Sequence, residues 1–251
     1  GDNLNNVTLT GSNDVNATGN SADNTLTGNE GANTLDGGSG DDSLNGGLGD
    51  DILTGGVGTD TLNGGLGDDI LIGGSGKDAA VFSSKSNVIN ISTTKKQNTK
   101  DGKDTLIGIE NVNGGGGNDK LYGNNGSNIL NGGTGNDLLV GGLGNDKLIG
   151  GKGKDIFKLS TGKGYDLIQD FKDKQDKIFI GSMKKLKLKN KGNDVYIYKG
   201  KDLLANVKGA KGDLSKKGKF IIWGKYEGKL FEGNILLAET YCYNWSGRQD
   251  S

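Results

Sequence analysis

The chain has 251 residues, with 31% hydrophobic residues, 6% aromatic residues, 49 Gly and no Pro, a composition too poor in apolar side chains for an ordinary globular core. With no His and a single Cys, Cys242, the usual zinc sites, His-dependent catalytic triads and an intrachain disulfide are excluded. The formal net charge of −1 hides an asymmetry, because residues 1–80 hold 13 acidic residues and one basic residue, Lys77.

Residues 1–36 are predicted to be a degenerate lead-in to a repeat. Two imperfect nonapeptides lie there, GNSADNTLT at 19–27 and GNEGANTLD at 28–36. They keep Leu26 and Leu35 at the eighth position but carry Asn24 and Asn33 at the sixth. Because Asn offers only a neutral oxygen, each of these turns is predicted either to bind a metal weakly or to bind none.

Residues 37–81 form a first repeat block, in which the phrase Gly-Gly-x-Gly-x-Asp-x-Leu-x occurs five times without a gap. The units begin at Gly37, Gly46, Gly55, Gly64 and Gly73, and their sixth residues are Asp42, Asp51, Asp60, Asp69 and Asp78. The eighth position is Leu in four units and Ala80 in the last. A fixed period of nine residues indicates that one small structural unit repeats in space.

Residues 82–113 separate this block from a second one and are predicted to be an insert that contains strands, the first at 87–92. The second block, residues 114–158, returns to the same nine-residue period. Its first residues are Gly114, Gly123, Gly132, Gly141 and Gly150, and its sixth residues are Asp119, Asn128, Asp137, Asp146 and Asp155. The unit with Asn128 again departs from the rule, so its binding of metal stays an open alternative.

Residues 159–251 lose the period and are predicted to form a β-rich carboxyl-terminal tail. Alternating apolar and polar residues indicate short strands separated by Gly-containing turns. These strands are predicted at 184–189, 194–198, 203–207 and 220–223. The chain has no run of about 18 apolar residues that would predict a transmembrane helix, and no amino-terminal signal peptide is visible.

The repeat predicts a parallel β-roll, that is, an all-β solenoid. The x-Leu-x segment is a three-residue strand too short to stand alone, so it must stack on copies of itself. If successive units lie on opposite sides, two nonapeptides close one coil of 18 residues and the leucines meet in a narrow core. The Asp side chains then form ladders at 18-residue spacing, such as Asp42, Asp60 and Asp78.

Such ladders require cations. Rungs of a sheet are about 4.8 Å apart, and neighbouring carboxylates at that distance repel by about 1 kcal/mol in water and about 3–4 kcal/mol at an effective dielectric of 20. Carboxylates and the carbonyls of glycine turns are hard oxygen ligands, which favour Ca²⁺ over transition metals and over the stricter octahedron of Mg²⁺. We therefore predict several Ca²⁺ ions per chain.

The predicted metal ligands are the sixth-position carboxylates and the first-position glycines of the intact turns. They are Asp42, Asp51, Asp60, Asp69, Asp78, Asp119, Asp137, Asp146 and Asp155, with Gly37, Gly46, Gly55, Gly64, Gly114, Gly132, Gly141 and Gly150. No nucleophile, acid–base or phosphate-binding motif accompanies them, so no catalytic residue and no enzymatic activity are predicted. The Lys-rich stretches of the tail are predicted to be a solvated face, with no binding of nucleic acid.

The phrase GGLGDDILTGGVGTDTLNGGLGDD resembles the RTX, or haemolysin-type, calcium-binding repeat of bacterial secreted proteins. The resemblance implies a β-roll that holds calcium between turns of successive coils. It also implies export by type I secretion machinery with an uncleaved carboxyl-terminal signal, and hence an extracellular location.

Three functions are compatible with this sequence. The first is a calcium-dependent module that folds outside the cell and has no activity of its own. The second is the carboxyl-terminal part of a secreted enzyme, such as a metalloprotease or an alginate epimerase, whose catalytic domain is absent from the chain. The third is an adhesin or surface-layer component that contacts a cell surface or a polysaccharide.

Overall fold

The nine-residue period becomes a roll of stacked parallel strands. The computed structural model describes residues 5–83, 85–172, 175–182 and 186–210, together with the strand Ile222–Lys225. Within these residues every regular element is a β-strand. The predicted all-β parallel roll is therefore confirmed.

One face of the roll is a single sheet of twelve strands, called here the continuous sheet. Its strands lie in the order β1 (Asn6–Thr8), β3 (Thr25–Thr27), β5 (Ser43–Leu48), β7 (Thr61–Leu66), β9 (Ala79–Val81), β13 (Asn111–Asn113), β15 (Ile129–Thr134), β17 (Lys147–Lys152), β19 (Asp166–Ile168), β23 (Asp202–Val207), β22 (Asp194–Lys199) and β21 (Leu186–Lys191). All its neighbours are parallel as far as β23, and β21 to β23 form an antiparallel meander that ends the sheet.

The opposite face consists of two six-stranded sheets. The N-terminal sheet has the order β2 (Ala17–Thr18), β4 (Thr34–Ser39), β6 (Ile52–Gly58), β8 (Ile70–Gly76), β12 (Lys103–Ile107) and β11 (Gln97–Asn98). The C-terminal sheet has the order β10 (Val88–Asn90), β14 (Lys120–Tyr122), β16 (Leu138–Val140), β18 (Ile156–Leu159), β20 (Lys177–Ser182) and β24 (Ile222–Lys225). In the repeats, consecutive strands alternate between the two faces, so each coil takes two nonapeptides.

The core is one column of leucines between the faces. Leu44 pairs with Leu62 on the continuous sheet, and Leu53 pairs with Leu71 on the N-terminal sheet, each at the predicted spacing of 18 residues. Every eighth-position leucine of the repeats is at most 1% exposed, and Phe157 takes the same place in the last unit. Each side chain contributes about 1.5–3 kcal/mol by burial, which makes this thin column the main apolar contribution of each unit.

The predicted three-residue strand is too short for the first block. Strands β4 to β8 run for six or seven residues, because the second glycine of the next turn and the residue after it also pair with their copies one coil away, as Gly38 does with Gly56. A Cβ built on Gly56 would lie less than 3.0 Å from the carbonyl oxygen of Gly38. The absence of side chains therefore lets the coils stack closely enough to extend the ladder of backbone hydrogen bonds.

The insert between the repeat blocks is built into the roll. Its strand β13 pairs with β9 on one side and β15 on the other, so the continuous sheet runs through both blocks. On the opposite face, β12 covers β8 and β10 opens the C-terminal sheet. The side chain of Gln97 joins these two sheets, since its Oε1 accepts the Asn90 N–H at 2.6 Å and its Nε2 donates to the Asn90 carbonyl at 3.1 Å.

The tail prediction is met only in part of the chain. Strands β21 to β24 lie at or within two residues of the four strands expected from the sequence. Residues 211–221 and 226–251, which include Cys242 and part of the tail predicted to carry the carboxyl-terminal secretion signal, lie outside the described residues.

Candidate metal centre

The turns between strands are built by glycines and closed by an acidic side chain. In what we call an Asp turn, GGxGxD, the second glycine has a φ between +84° and +111°, as at Gly38 (+99°) and Gly56 (+111°). This left-handed region is open to glycine at little cost. The turn then delivers its sixth residue, Asp, to the position just before the next strand, where the side chain is at most 2% exposed.

The sixth residues stack into ladders along both edges of the roll, as the 18-residue spacing predicts. On the first edge, the Asp42 N–H donates to Asp60 Oδ1 at 2.8 Å and the Asp60 N–H donates to Asp78 Oδ1 at 2.9 Å. On the second edge, the Asp51 N–H donates to Asp69 Oδ1 at 2.9 Å. The second block repeats the pattern through Asp119, Asp137 and Asp155 on the second edge, and through Asn128 and Asp146 on the first.

Each Asp turn leaves one carboxylate oxygen without a partner. Oδ1 accepts a backbone N–H from the preceding coil, but Oδ2 is buried and accepts no hydrogen bond. These oxygens belong to Asp42, Asp51, Asp60, Asp69, Asp78, Asp119, Asp137, Asp146 and Asp155. They are the nine aspartates that the sequence singles out, and a buried anionic oxygen with no partner is costly unless a cation or a proton neutralises it.

The first-position glycines line the space beside these oxygens. A Cβ built on Gly46 would lie less than 3.0 Å from both Asp51 Oδ2 and the carbonyl oxygen of Gly64 in the next coil. The same holds at Gly37, beside Asp42 Oδ2 and the Gly55 carbonyl oxygen, and at Gly73, beside Asp78 Oδ2 and the Gly108 carbonyl oxygen, although Gly73 is absent from the predicted ligand set. In these three turns the first glycine thus stands between a carboxylate oxygen and a main-chain carbonyl, where no side chain intervenes.

A second row of acidic side chains lies outside these ladders and accepts backbone N–H groups of its own. Asp41, Asp50 and Asp68 occupy the fifth position of their turns and accept the N–H of the residue one coil later, at 2.7, 2.8 and 2.9 Å. Asp68 also forms an ion pair with Lys96 at 3.4 Å. Both rows of aspartates link successive coils through one oxygen. Only the sixth-position aspartates bury their second oxygen without a partner.

The ladders end at two acidic residues outside the predicted ligand set. Asp104 accepts the Asp69 N–H, and its second oxygen accepts the Thr99 hydroxyl at 2.5 Å. Asp176 accepts the Asp155 N–H with Oδ1 and the Lys172 N–H with Oδ2. Both carboxylates are therefore satisfied by protein groups. The sequence signal is an acidic residue just before an alternating strand, as in DTLI and DKIFI.

Two further acidic residues continue the first edge. Glu110 Oε2 accepts the Asp78 N–H at 2.9 Å, and it precedes β13 as Asp78 precedes β9. Asp166 stands one coil after Asp146, at the first residue of β19. Burial, and after it the neighbouring charge of Asp146, raises the pKa of Asp166 to about 8.

The nonapeptide repeats match a known protein family. A profile of the RTX calcium-binding nonapeptide repeat matches residues 18–53, 45–79, 104–139, 122–157 and 131–168. Together these segments span about half of the chain. The chain belongs to the RTX calcium-binding repeat family. It therefore contains a calcium-binding β-roll, which is a structural module, and its repeat register agrees with the coils described above.

Other comparisons add little to the RTX assignment. A search of curated proteins gives no match. One matching solved structure is the crystal structure of extracellular lipase LipA from Serratia marcescens, with 18% sequence identity and a TM-score of 0.30. The match covers 78% of this chain and 39% of the lipase chain. No helix among the described residues is long and apolar enough to cross a membrane.

The RTX turns fit a hard divalent cation. No group of three or more His, Cys, Asp or Glu side chains that could hold a metal occurs among the described residues, so an ion at an Asp turn would depend on main-chain oxygens for most of its ligands. Ca²⁺ accepts such mixed sets of carboxylate and carbonyl oxygens. The orphaned Oδ2 and the adjoining carbonyl are groups of that kind.

Without a metal, burial raises the pKa of the ladder carboxyls. Burial, opposed by the accepted N–H, raises the pKa of Asp51 and Asp60 to about 6. The same cause raises the pKa of Asp69 and Asp119 to about 7, with a smaller contribution from the ladder neighbours Asp104 and Asp137. An unfolded Asp titrates near 3.9, so the metal-free roll binds more protons than the unfolded chain between about pH 4 and pH 7.

We expect calcium and protons to compete for these oxygens. The raised pKa values stabilise the metal-free roll below about pH 4, and that contribution is lost as the pH rises through about 6–7. Conversely, the calcium concentration at half-folding should increase by several-fold between pH 8 and pH 6, because bound protons must first leave. Calcium titrations followed by circular dichroism at pH 8, 7 and 6 measure this, and a midpoint independent of pH would contradict it.

Proposed function

We propose that this chain is a secreted calcium-binding module that folds on binding Ca²⁺ outside the cell, after export by type I secretion machinery. The observation that carries the proposal is the set of nine buried, unpartnered Asp Oδ2 atoms at the period of the coils. Their charges oppose folding while calcium is scarce, as in the cytosol, and become part of the fold once calcium is abundant. Secretion follows from the RTX resemblance, in which export precedes calcium-driven folding.

The proposed ligands are the nine Asp Oδ2 atoms with carbonyl oxygens of first-position glycines. The glycines assigned from sequence are Gly37, Gly46, Gly55, Gly64, Gly114, Gly132, Gly141 and Gly150. Among these, the carbonyl oxygens of Gly55, Gly64 and Gly132 lie beside an Asp turn, as that of Gly108 also does, whereas those of Gly37 and Gly46 lie beside the turns that end in Asn24 and Asn33. When bound, Ca²⁺ supplies the positive charge that neutralises the ladder. The residues themselves supply a turn that is already shaped by glycine, a carboxylate anchored through Oδ1, and a buried setting that excludes competing water.

The free energy of calcium binding at these turns adds to the free energy of folding, because only the folded chain forms the sites. A ligand that binds only the folded state stabilises it by about 2.7 kcal/mol per site at a concentration 100-fold above its Kd. Several such sites stabilise a roll whose apolar core is one leucine wide. The chain can therefore be unfolded and exportable at low calcium and folded at millimolar calcium, without any change in covalent structure.

Equilibrium dialysis tests this function directly. The full chain in physiological salt is expected to bind several Ca²⁺ ions per molecule at millimolar free calcium, and an equal concentration of Mg²⁺ should displace few of them. A chain that binds no calcium at any concentration up to about 10 mM, tenfold above the Kd of the weakest extracellular sites, would overturn the proposal.

We expect Asp60→Ala to impair calcium-driven folding more than Asp42→Ala. Asp60 lies between Asp42 and Asp78, so its loss removes a carboxylate from the middle of a ladder of Asp turns. Asp42 instead borders Asn24, whose N–H it accepts at 2.7 Å. The calcium midpoint of folding should therefore rise further in the Asp60 variant. Equal midpoints for the two variants would count against the assigned register.

One feature favours a second candidate function, contact with an anionic surface or polysaccharide. The insert forms an open cleft of about 440 Å³ whose lining includes Lys95, Lys96, Lys100 and the ring of Tyr122. No carboxylate belongs to this lining, so the cleft is a local positive patch beside an acidic roll. Retention of the chain on cells, with release when Lys95 and Lys100 are both changed to Ser, would support this function.

A further inference from the structure

Three turns of the roll follow a different rule from the nine Asp turns. They read GNSADN, GNEGAN and GNNGSN, and occupy residues 19–24, 28–33 and 123–128. Each has Asn at both the second and the sixth position, and we call them Asn turns. No Asp turn has Asn at its second position, and no Asn turn has Gly there. The second and sixth residues therefore change together.

The second residue decides whether the sixth side chain receives a local hydrogen bond. In the Asn turns the N–H of the second residue donates to the Oδ1 of the sixth, from Asn20 to Asn24 at 2.7 Å, from Asn29 to Asn33 at 2.8 Å and from Asn124 to Asn128 at 2.9 Å. In the Asp turns the second residue is a glycine at left-handed φ, and Oδ2 receives no hydrogen bond. None of the three second-position Asn residues has a positive φ.

The amide of the sixth Asn adds a donor where an Asp turn has an unpartnered oxygen. Asn33 Nδ2 donates to the Val15 carbonyl of the preceding coil at 2.8 Å and to Asn29 Oδ1 at 3.1 Å. Asn128 Nδ2 likewise donates to the Glu110 carbonyl at 2.9 Å. The second Asn completes the turn, since Asn29 Oδ1 also accepts the Gly31 N–H. The side chains thus bind their own turn and the coil before it without any added charge.

A fourth Asn, outside the glycine turns, lacks the partner at the second position. Asn87 stands at the head of a second-edge ladder, where its N–H donates to Asp119 Oδ1 as a sixth residue does. The residue four positions before it is Ser83, so the Asn pair is absent. Asn87 Oδ1 is buried without a hydrogen-bond partner. An Asn at the sixth position alone therefore leaves the same orphaned oxygen as an Asp.

We propose that the three Asn turns bind no calcium. The paired Asn residues at the second and sixth positions satisfy each other's polar groups by hydrogen bonds, and they carry no negative charge that an ion would have to neutralise. This inference rests on the proposed function of the Asp turns. It assigns the roll two kinds of turn, nine that depend on the ion and three that do not. Two of the three lie in the first coils, where they provide the following Asp turns with neighbours that need no metal.

Conversion of one Asn turn tests the inference. In the full chain, Asn29→Gly together with Asn33→Asp turns GNEGAN into GGEGAD, which matches the Asp turns and adds no bulk. The double variant is expected to bind one more Ca²⁺ per chain than the wild type, measured by equilibrium dialysis and native mass spectrometry. Asn33→Asp alone keeps the Asn29 N–H as a partner for the new carboxylate and should add no ion. Asn29→Gly alone should add none either.

The outcomes separate this inference from the proposed function. A wild-type chain that binds no calcium would overturn the function itself. A wild-type chain that binds calcium, with an unchanged count in the double variant, would overturn the inference, because the Asn turn would then already hold an ion or be unable to gain one. An added ion in Asn33→Asp alone would also overturn it, by showing that the second residue does not matter. Urea unfolding in excess calcium verifies that all three variants are folded.

Discussion

Removing calcium should convert the β-roll into a largely unfolded chain, and adding it back to millimolar concentration should restore the roll in one cooperative step. The expected change is large because the same Asp Oδ2 atoms oppose folding when calcium is absent and bind the ion when calcium is present. Nine buried Oδ2 atoms carry unpartnered charge when no ion is present, and ladder neighbours about 4.8 Å apart repel by about 3–4 kcal/mol at an effective dielectric of 20. One leucine per nonapeptide cannot offset that cost together with the ordering of a Gly-rich backbone.

Far-UV circular dichroism with chelator, and then with increasing calcium, measures this transition. Size-exclusion chromatography should show the accompanying compaction. Magnesium at the same concentration and ionic strength is the matched control, because it screens charge equally but holds its waters and its octahedral geometry more tightly. Spectra that are alike with chelator and with calcium would contradict the role assigned to the ladders.

The periodic parts of this structure were predictable from the sequence. The position of every ladder aspartate follows from two facts, that strands alternate their side chains and that two nonapeptides close a coil. Leu44, Leu62 and Asp60 therefore take their places from spacing alone. Because the glycines recur with the same period, the sequence also indicates where the chain can stack closely, although it does not show that the strands extend through them.

The aperiodic parts could not be placed in this way. Strand β12 pairs with β8 across 35 residues and β13 pairs with β9 across 32, so counting by nine fails to align Asp104 and Glu110 with the ladders. Their positions depend on how the insert packs, including the Gln97 link between two sheets. The residue spacing also does not indicate how Asp and Asn turns differ, because the difference lies in the direction of the backbone N–H of the second residue.

We expect Gly46→Ala to remove calcium from its turn, although the substitution adds only a methyl group. Gly46 is a first-position glycine without a positive φ, so the added Cβ brings no left-handed strain. The Cβ would, however, lie less than 3.0 Å from Asp51 Oδ2 and from the Gly64 carbonyl oxygen. These are the two oxygens proposed to share an ion. The variant should bind at least one Ca²⁺ fewer and need more calcium to fold.

Gly28→Ala is the matched control for this substitution, because it places an equal clash in an Asn turn. Its Cβ would lie less than 3.0 Å from Asn33 Oδ1 and from the Gly46 carbonyl oxygen, so both variants should lose stability from steric displacement, which for overpacking costs about 1–3 kcal/mol. Only Gly46→Ala should lower the calcium count measured by dialysis. If both variants kept the wild-type count, the space beside the first glycine would not be where the ion binds. If both lost an ion, Asn turns would hold calcium too.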